Sequence, residues 1–205
     1  MKKLKVVAKH SRRDGVALTD KASHARALAR RPYAPGVHGP TGRTRQTDYG
    51  KQLREKQKAK RLYGLNERQF RNLFDEVKRR KGNTGEMLIK ELERRFDNVV
   101  YRAGFAPTRA AARQVVSHAH FEINGKKVNI PSYRLRSGEI VRLRENKRQK
   151  GNWKTLEEAL QKKTQVSWLA VDPKDASVKV TGLPEGPELL QQPFDVAQIV
   201  EFYSR

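Results

Sequence analysis

Apolar residues recur at helical spacing between residues 66 and 81. They are Phe70, Leu73, Phe74 and Val77. Because these positions fall on one face of a helix, the spacing predicts an amphipathic helix with one buried stripe. Asn66 precedes the stripe and is a favourable N-cap, so we expect the helix to begin there.

Two further helices are predicted on either side of this one. Asp48 is a good N-cap and Gly64 a good stop for a helix rich in lysine and arginine. Thr84 is expected to cap a third helix that runs to Gly104. The first of these helices has few apolar residues to bury, so it offers a largely cationic surface to a partner.

The pattern changes to alternation after Gly104. A short helix capped by Thr108 is followed by a predicted hairpin over residues 120–130, because Asn124-Gly125 is the preferred type I′ turn. The other predicted strands are residues 133–136, 139–144, 168–171 and 178–182, and the other predicted helices are residues 153–163 and a last helix capped by Asp195. Helices followed by a small antiparallel sheet predict an α+β fold.

Composition divides the chain into an arm and two domains. Residues 1–47 are expected to be a basic irregular arm, because their prolines and glycines oppose regular structure. We expect the arm to order on a partner, and a disordered tail is the alternative. Residues 48–93 are predicted to form an all-helical domain. Residues 94–189 are predicted to form an α+β domain whose basic module covers about 94–150.

The charge of the chain is large and uneven. Its 205 residues include 45 Lys and Arg against 22 Asp and Glu, which gives a net charge of +23. Residues 1–81 carry +17, residues 82–152 carry +8 and residues 153–205 carry −2. This imbalance predicts a polyanion-binding face in the N-terminal and middle parts. A membrane protein and a secretory signal are not expected, and the lack of cysteine excludes disulfides and thiolate metal sites.

Few residues suggest catalysis or metal binding. The two common glycine-rich nucleotide loops are absent. His118 and His120 resemble a partial metal pair, but no carboxylate or cysteine stands at a supporting spacing, so structural roles are favoured. Asp97 could act as a general base, although pairing with Arg94 or Arg95, or capping a helix, is the favoured interpretation. No cofactor is expected.

A short helix that leads directly into a hairpin is the strongest candidate site. Arg109 and Arg113 are four residues apart, so they are expected to share an outer face with Gln114 beside them. The hairpin adds Asn124, Lys126 and Lys127. Cations on a rigid support suit phosphates, so we expect this face to bind structured RNA. Replacing both arginines with alanine is expected to weaken binding with little change in melting temperature.

The segment from Phe96 to Val141 resembles the small RNA-binding domain named after small-subunit ribosomal protein number four. Arg95-Phe96-Asp97 and Ile123-Asn124-Gly125 stand where that family has Arg-Leu-Asp and Val-Asn-Gly. Further segments resemble the ribosomal family itself, so the resemblance covers nearly the whole chain. They are RRPYAPGVHG, DYGKQLREKQKAKRLYGLNERQFRNLF, KGNTGE and IVEFYSR.

This resemblance implies a structural, non-enzymatic protein of the cytoplasmic ribosome. It also implies that residues 48–93 with 190–205 form one helical domain, with the C-terminal helix packing back on it. Such a protein would bind the 5′ domain of 16S rRNA early in assembly of the 30S body. The resemblance also implies neighbours where the messenger enters, namely small-subunit proteins three and five, and an influence on decoding accuracy. Some family members repress their own operon by binding its mRNA. No membrane partner and no stable homo-oligomer are expected.

Position and family pattern add candidate RNA-binding residues outside the helix and hairpin. They are Arg12, Arg13, Arg43, Arg45, Tyr49, Lys51, Arg54, Lys56, Lys58, Arg61, Arg68 and Arg71. Some relatives carry an N-terminal cysteine cluster that holds zinc or an iron–sulfur centre. Here Ser11 stands at a ligand position, and His10 and His24 are poor substitutes, so we expect no metal and an arm held by RNA instead.

Two other functions use similar RNA-binding domains. A pseudouridine synthase needs a separate catalytic domain, whereas basic helices and a short acidic tail flank the basic module here. A ribosome-associated stress factor would not need the N-terminal part that resembles the ribosomal family. Uridine turnover would favour the enzyme, and retention on small subunits through a high-salt wash would favour the ribosomal protein.

Overall fold

The computed structural model describes residues 6–41, 46–148, 151–153, 160, 166–185 and 192–204. The chain divides into two compact units. Residues 1–88 with 190–205 form one, which we call the helical unit, and residues 89–189 form the other, which we call the α+β unit. The first has helices in its described residues and the second adds a sheet, so the predicted fold class is confirmed. The domain limits read from the sequence stay predictions.

The described part of the N-terminal arm contains two helices, so the prediction of an irregular arm is wrong there. They are α1 (Ala8–Asp14) and α2 (Ala22–Arg30). Alanine is the best helix former and supplies four of the nine residues of α2. The side-chain Oγ of Ser11 accepts a hydrogen bond from the N–H of Leu18 at 3.3 Å, and both residues are buried. The arm therefore has polar and apolar contacts of its own.

Two longer helices follow the arm, and their caps set where they begin. They are α3 (Asp48–Leu62) and α4 (Glu67–Lys78). Asn66 caps α4 as predicted, because its Oδ1 accepts a hydrogen bond from the N–H of Gln69 at 2.8 Å. The predicted cap of α3 is wrong by one residue, since Thr47 Oγ1 accepts from the N–H of Gly50 at 3.2 Å. Asp48 lies instead in the first turn, where its charge favours the helix dipole.

The single helix predicted from Thr84 to Gly104 is two helices. They are α5 (Thr84–Glu93) and α6 (Phe96–Arg102). Arg95 between them has an extended backbone and forms an antiparallel bridge with Arg134. The carbonyl of Arg94 accepts a hydrogen bond from the N–H of Leu135 at 3.0 Å. Pairing with a segment distant in sequence therefore breaks the helical pattern.

Side-chain caps also fix the starts of α5 and α7, which spans Arg109–Ser117. Asn83 Oδ1 accepts a hydrogen bond from the N–H of Gly85 at 3.0 Å, so the predicted cap at Thr84 is wrong by one residue. Thr108 caps α7 as predicted, with its Oγ1 accepting from the N–H of Ala111 at 3.2 Å.

Five antiparallel strands form one sheet in the described part of the α+β unit. They are β1 (Phe121–Ile123), β2 (Lys126–Lys127), β3 (Ile140–Leu143), β4 (Leu169–Asp172) and β5 (Ser177–Val180). Their spatial order is β2-β1-β3-β5-β4. The predicted hairpin and three other predicted strands are confirmed. The strand predicted at 133–136 is wrong, because Arg134 forms an isolated bridge there.

The connection between β3 and β4 begins with a short helix and a single helical turn. The helix is α8 (Glu145–Arg148), and Gly151–Trp153 forms a 3₁₀ turn. Most of the helix predicted over 153–163 lies outside the described residues.

Aromatic rings form the centre of the α+β core. The Phe121 ring of β1 makes edge-to-face contacts with Phe96 at 6.2 Å and with Phe105 at 5.3 Å between ring centres. Phe96 and Phe121 are completely buried. This packing holds α6 on the sheet, so the polar residues of α6 have fixed positions.

The last helix, α9 (Val196–Ser204), belongs to the helical unit. The ring of Tyr203 stacks on that of Phe74 in α4, with 4.7 Å between ring centres. Asp195 caps α9 as predicted, because its Oδ1 accepts a hydrogen bond from the N–H of Ala197 at 2.9 Å. The predicted return of the C-terminal helix to the helical domain is therefore confirmed.

Candidate nucleic-acid interface

The turn between β1 and β2 presents an exposed basic tip. Asn124 and Gly125 have φ values of +48° and +76°, as a type I′ turn requires. The Oδ1 of Asn124 accepts a hydrogen bond from the N–H of Ile140 at 2.9 Å, which ties the turn to β3. Lys126 and Lys127 follow the turn and are exposed. The structure thus places two accessible cations on a rigid support.

On helix α7, the side chain of Gln114 is exposed to solvent, whereas that of Arg109 contacts other residues of the α+β unit. Arg109 Nε donates a hydrogen bond to Asn98 Oδ1 at 2.8 Å. Its guanidinium also lies 4.4 Å from the centre of the Tyr101 ring, a cation–π contact. These two contacts hold the guanidinium in one orientation while leaving the side chain half-buried.

Arg113 does not lie on an outer face, so that prediction is wrong. Only 11% of its side chain is exposed, and its Nη1 lies 3.7 Å from Oδ2 of Asp97. Burial lowers the pKa of Arg113, an effect that Asp97 opposes and Arg95 reinforces. Because Asp97 lies on α6, this contact places Arg113 of α7 against that helix. Contrary to the sequence-based expectation, we therefore expect replacement of Arg113 to lower the melting temperature.

Asp97 is the centre of a buried ion-pair cluster. Its two carboxylate oxygens accept hydrogen bonds from Nε and Nη2 of Arg95 at 3.1 and 2.9 Å. This bidentate contact confirms the predicted pairing with Arg95. The carboxylate is 6% exposed and is occupied by two guanidiniums, so a substrate cannot reach it as it would have to reach a general base.

Two more buried carboxylates, which sequence reasoning missed, lie in the same unit. Glu93 accepts hydrogen bonds from Nε and Nη2 of Arg102 at 2.9 and 2.8 Å. Glu91 pairs with Arg94 and Arg134, each at 3.2 Å. The sequence feature that indicates their burial is the alternation of acidic and apolar residues at the end of α5, where the buried Leu92 stands between the two acids.

In the helical unit, several predicted RNA contacts are accessible. Arg12 donates to the carbonyl of Arg31 at 3.1 Å and lies over the Tyr33 ring, and Tyr49 is 53% exposed. Lys51 is exposed beside Asp48, at 3.1 Å. The remaining accessible positions are Arg13, Arg68 and Arg71, together with the half-buried Arg54. Arg43 and Arg45 lie outside the described residues.

Lys58 and Arg61 are largely occupied by contacts within the protein. Lys58 Nζ lies 2.6 Å from Glu55 Oε1. Arg61 Nη1 lies 2.7 Å from Asp14 Oδ2, and the Asp14 side chain is 1% exposed. This ion pair ties α1 to α3, so contacts within the protein also hold the arm. That RNA holds the arm stays a prediction.

Lys56 is buried, which contradicts its prediction as a surface contact. Its Nζ donates to Glu67 Oε1 at 2.8 Å and lies 4.7 Å from the centre of the Phe202 ring. Lys60 and the Tyr203 hydroxyl also donate to Glu67, at 2.8 and 2.9 Å. Burial raises the pKa of Glu67, but these three hydrogen bonds outweigh it and lower the pKa to about 2. Glu67 is therefore the charge that joins α3, α4 and α9.

This cluster predicts a specific acid sensitivity of the helical unit. Glu67 has a lowered pKa in the folded state, so its stabilising effect is complete above pH 4.5 and is lost as the pH falls toward 2. Because the side chain is 45% exposed, we expect an effect of about 1 kcal/mol. Urea unfolding followed by circular dichroism should show Glu67→Gln less stable than wild type at pH 6, with most of the difference gone near pH 2. A constant difference across this range would contradict the assignment, and the exposed Glu86→Gln is the control.

No group of histidines and carboxylates suited to a metal ion occurs among the described residues. His120 Nδ1 instead accepts a hydrogen bond from Trp153 Nε1 at 3.1 Å, which gives this histidine a structural role. Within the described residues, no helix is long and apolar enough to span a membrane.

Basic side chains held in position on a small α+β fold are typical of an RNA-binding protein, and comparisons with known proteins agree. Residues 2–93 match the family described as "Ribosomal protein S4/S9 N-terminal domain", and residues 94–141 match the "S4 domain". The chain is 49% identical over 202 residues to the small ribosomal subunit protein uS4 of Roseiflexus castenholzii. It is 48% and 46% identical to those of Chloroflexus aurantiacus and Chlorobium phaeovibrioides. Each alignment covers 97% of both chains.

The chain therefore belongs to the uS4 family of small ribosomal subunit proteins. It is a structural protein of the ribosome that binds rRNA in the small subunit, and it is not an enzyme. The alternative of an RNA-modifying enzyme is wrong, because the relatives named uS4 match over nearly the whole chain.

Proposed function

We propose that the chain is a primary binder of 16S rRNA that nucleates assembly of the 30S body from the 5′ domain. The observation that carries this proposal is the exposed basic hairpin on the α+β unit. Lys126 and Lys127 stand on a turn whose backbone is fixed by two positive φ values and a hydrogen bond to β3. A rigid cationic tip can meet folded RNA without losing much conformational entropy.

Structured RNA is the polyanion that this surface fits best. The major groove of an RNA duplex is too narrow for side chains, so proteins recognise its shape, phosphates and 2′-hydroxyls. Lysines at a hairpin tip and an exposed glutamine on α7 supply donors for such contacts. The net charge of +23 adds long-range attraction to any RNA and speeds encounter.

Replacing both hairpin lysines with alanine should weaken binding to a 16S 5′-domain transcript. If each lysine neutralises one phosphate, the slope of log affinity against log salt should fall by about 1.4–1.8. The lysines are exposed, so the melting temperature should stay within about 1 °C of wild type. Filter binding over a salt series measures the slope.

Lys174→Ala with Lys179→Ala is the matched control, because these lysines are also exposed in the α+β unit. We expect a smaller loss from the control pair than from the hairpin pair. An unchanged slope in the hairpin variant would remove this tip from the RNA-binding surface.

The proposal extends to the neighbours of the chain and to its location. We place it in the cytoplasm, beside small-subunit proteins three and five, where the messenger enters and decoding accuracy is influenced. Binding to its own mRNA is a further proposed role. The family resemblance supports these roles, and the accessible cations of the helical unit offer a second RNA-binding surface. Those cations are Arg12, Arg13, Lys51, Arg54, Arg68 and Arg71.

A further inference from the structure

Three nearly buried carboxylates of the α+β unit hold a group of arginines. The side chains of Glu91, Glu93 and Asp97 are 5%, 4% and 6% exposed. Five arginines contact these carboxylates directly. A sixth, Arg109, donates to Asn98, which in turn donates to Glu93 at 2.8 Å. We call these side chains the carboxylate–arginine network, and its arginines are Arg94, Arg95, Arg102, Arg109, Arg113 and Arg134.

The network brings several guanidiniums close together. In its described contacts, three carboxylates and Asn98 meet six arginines. Half-buried guanidiniums close to one another are unfavourable, because the low-dielectric surroundings replace water poorly. The lowered pKa of Arg113, caused first by burial, is consistent with this cost. Phosphate groups of a bound RNA would further stabilise the clustered guanidiniums.

The outer arginines of the network remain accessible although they are held. Arg102 is 28% exposed while it donates two hydrogen bonds to Glu93, and Arg134 is 32% exposed beside Glu91. An arginine that is anchored on one side has already lost its rotamer freedom on folding. It therefore loses less entropy when its outer side meets a phosphate.

We propose that Glu91, Glu93 and Asp97 are positioning residues for RNA binding, because their network holds its accessible arginines, Arg102 and Arg134, in orientations that meet phosphates. The proposal rests on rRNA binding by the α+β unit. It assigns to three acidic residues a favourable effect on binding to a polyanion. Simple charge counting predicts the opposite, because removal of an acid raises the net positive charge.

The sign of this effect can be tested with Glu93→Gln in the full chain. We expect its affinity for a 16S 5′-domain transcript to fall about tenfold, although the net charge rises by one. Glu185→Gln is the control, since Glu185 is 68% exposed and forms a surface ion pair with Lys90 in the same unit. The control should bind as tightly as wild type or slightly more tightly. Unchanged or higher affinity of Glu93→Gln would overturn the proposal.

A double-mutant cycle separates positioning from a loss of structure. Binding is measured below the melting temperature of every variant, with circular dichroism as the check on folding. If Glu93 acts by holding Arg102, then Glu93→Gln should cost much less affinity in an Arg102→Ala background. An equal loss in both backgrounds would overturn the proposal, because a general structural defect would affect both alike.

A second carboxylate keeps the test decisive if Glu93→Gln does not fold. Glu91→Gln, with Arg134→Ala as its partner in the cycle, should give the same pattern of coupled loss. Independent losses in that cycle would overturn the proposal for Glu91 as well. If wild type bound the transcript no better than unrelated RNA, the proposed function itself would fail, and this result is distinct from either cycle.

Discussion

Replacing Asp97 with alanine is expected to lower the free energy of unfolding of the α+β unit by about 3–5 kcal/mol. Asp97 is the carboxylate that faces Arg95 and Arg113, and all three side chains are about nine-tenths buried. Removing the carboxylate leaves two guanidiniums close together with little water to solvate them. The cost of an uncompensated buried charge is larger than the loss of the hydrogen bonds alone.

Tryptophan fluorescence during urea unfolding measures this effect. The two tryptophans of the chain, Trp153 and Trp168, both lie in the α+β unit, so their emission follows that unit. Asp175→Ala is the matched control, because Asp175 forms an ion pair with Arg142 in which both side chains are more than a third exposed. We expect the control to cost less than about 1 kcal/mol. Similar losses in the two variants would show that burial of Asp97 has no special consequence.

Replacing Phe74 with alanine is expected to destabilise the helical unit by about 3–5 kcal/mol. Phe74 is completely buried and stacks on Tyr203 of α9. Loss of the ring removes apolar burial and leaves a cavity where α9 packs. The hydroxyl of Tyr203 also donates to Glu67, so a shift of α9 weakens the Glu67 cluster as well.

Hydrogen exchange over residues 196–204 tests the Phe74 prediction. We expect faster exchange of these amides in the variant, because α9 depends on this contact for its position. Val37→Ala is the control, since Val37 is 91% exposed and its truncation removes no buried contact. Unchanged protection of α9 in Phe74→Ala would contradict the packing described above.

Local patterns in the sequence predicted part of the local structure. The hairpin at Asn124-Gly125 and the cap at Asn66 depend on residues within four positions of one another, and both are confirmed. The break between α5 and α6 could not be predicted in this way. It depends on the backbone hydrogen bond that the N–H of Leu135 donates to the carbonyl of Arg94. These two residues lie 41 positions apart along the chain, and Nε of Arg94 also donates to the carbonyl of Leu135.

The site was harder to predict, because sequence shows charges but not their partners. Lys56 and Arg61 looked like surface cations on a basic helix, yet they pair with Glu67 and Asp14. The same is true of Arg113, whose partner Asp97 lies on another helix. By contrast, Lys126 and Lys127 directly follow a two-residue hairpin turn, and they are exposed as such a turn suggests.

We propose that the fold organises the excess cations into a surface for the 5′ domain of 16S rRNA. The most direct test titrates the full chain against a 5′-domain transcript and an unrelated structured RNA of equal length, over a series of salt concentrations. We predict tighter binding to the 5′ domain at every salt concentration and a slope of about 4 or more, as contact with about six phosphates would give. Equal affinity for the two RNAs, or a slope near about 1, would contradict the claim.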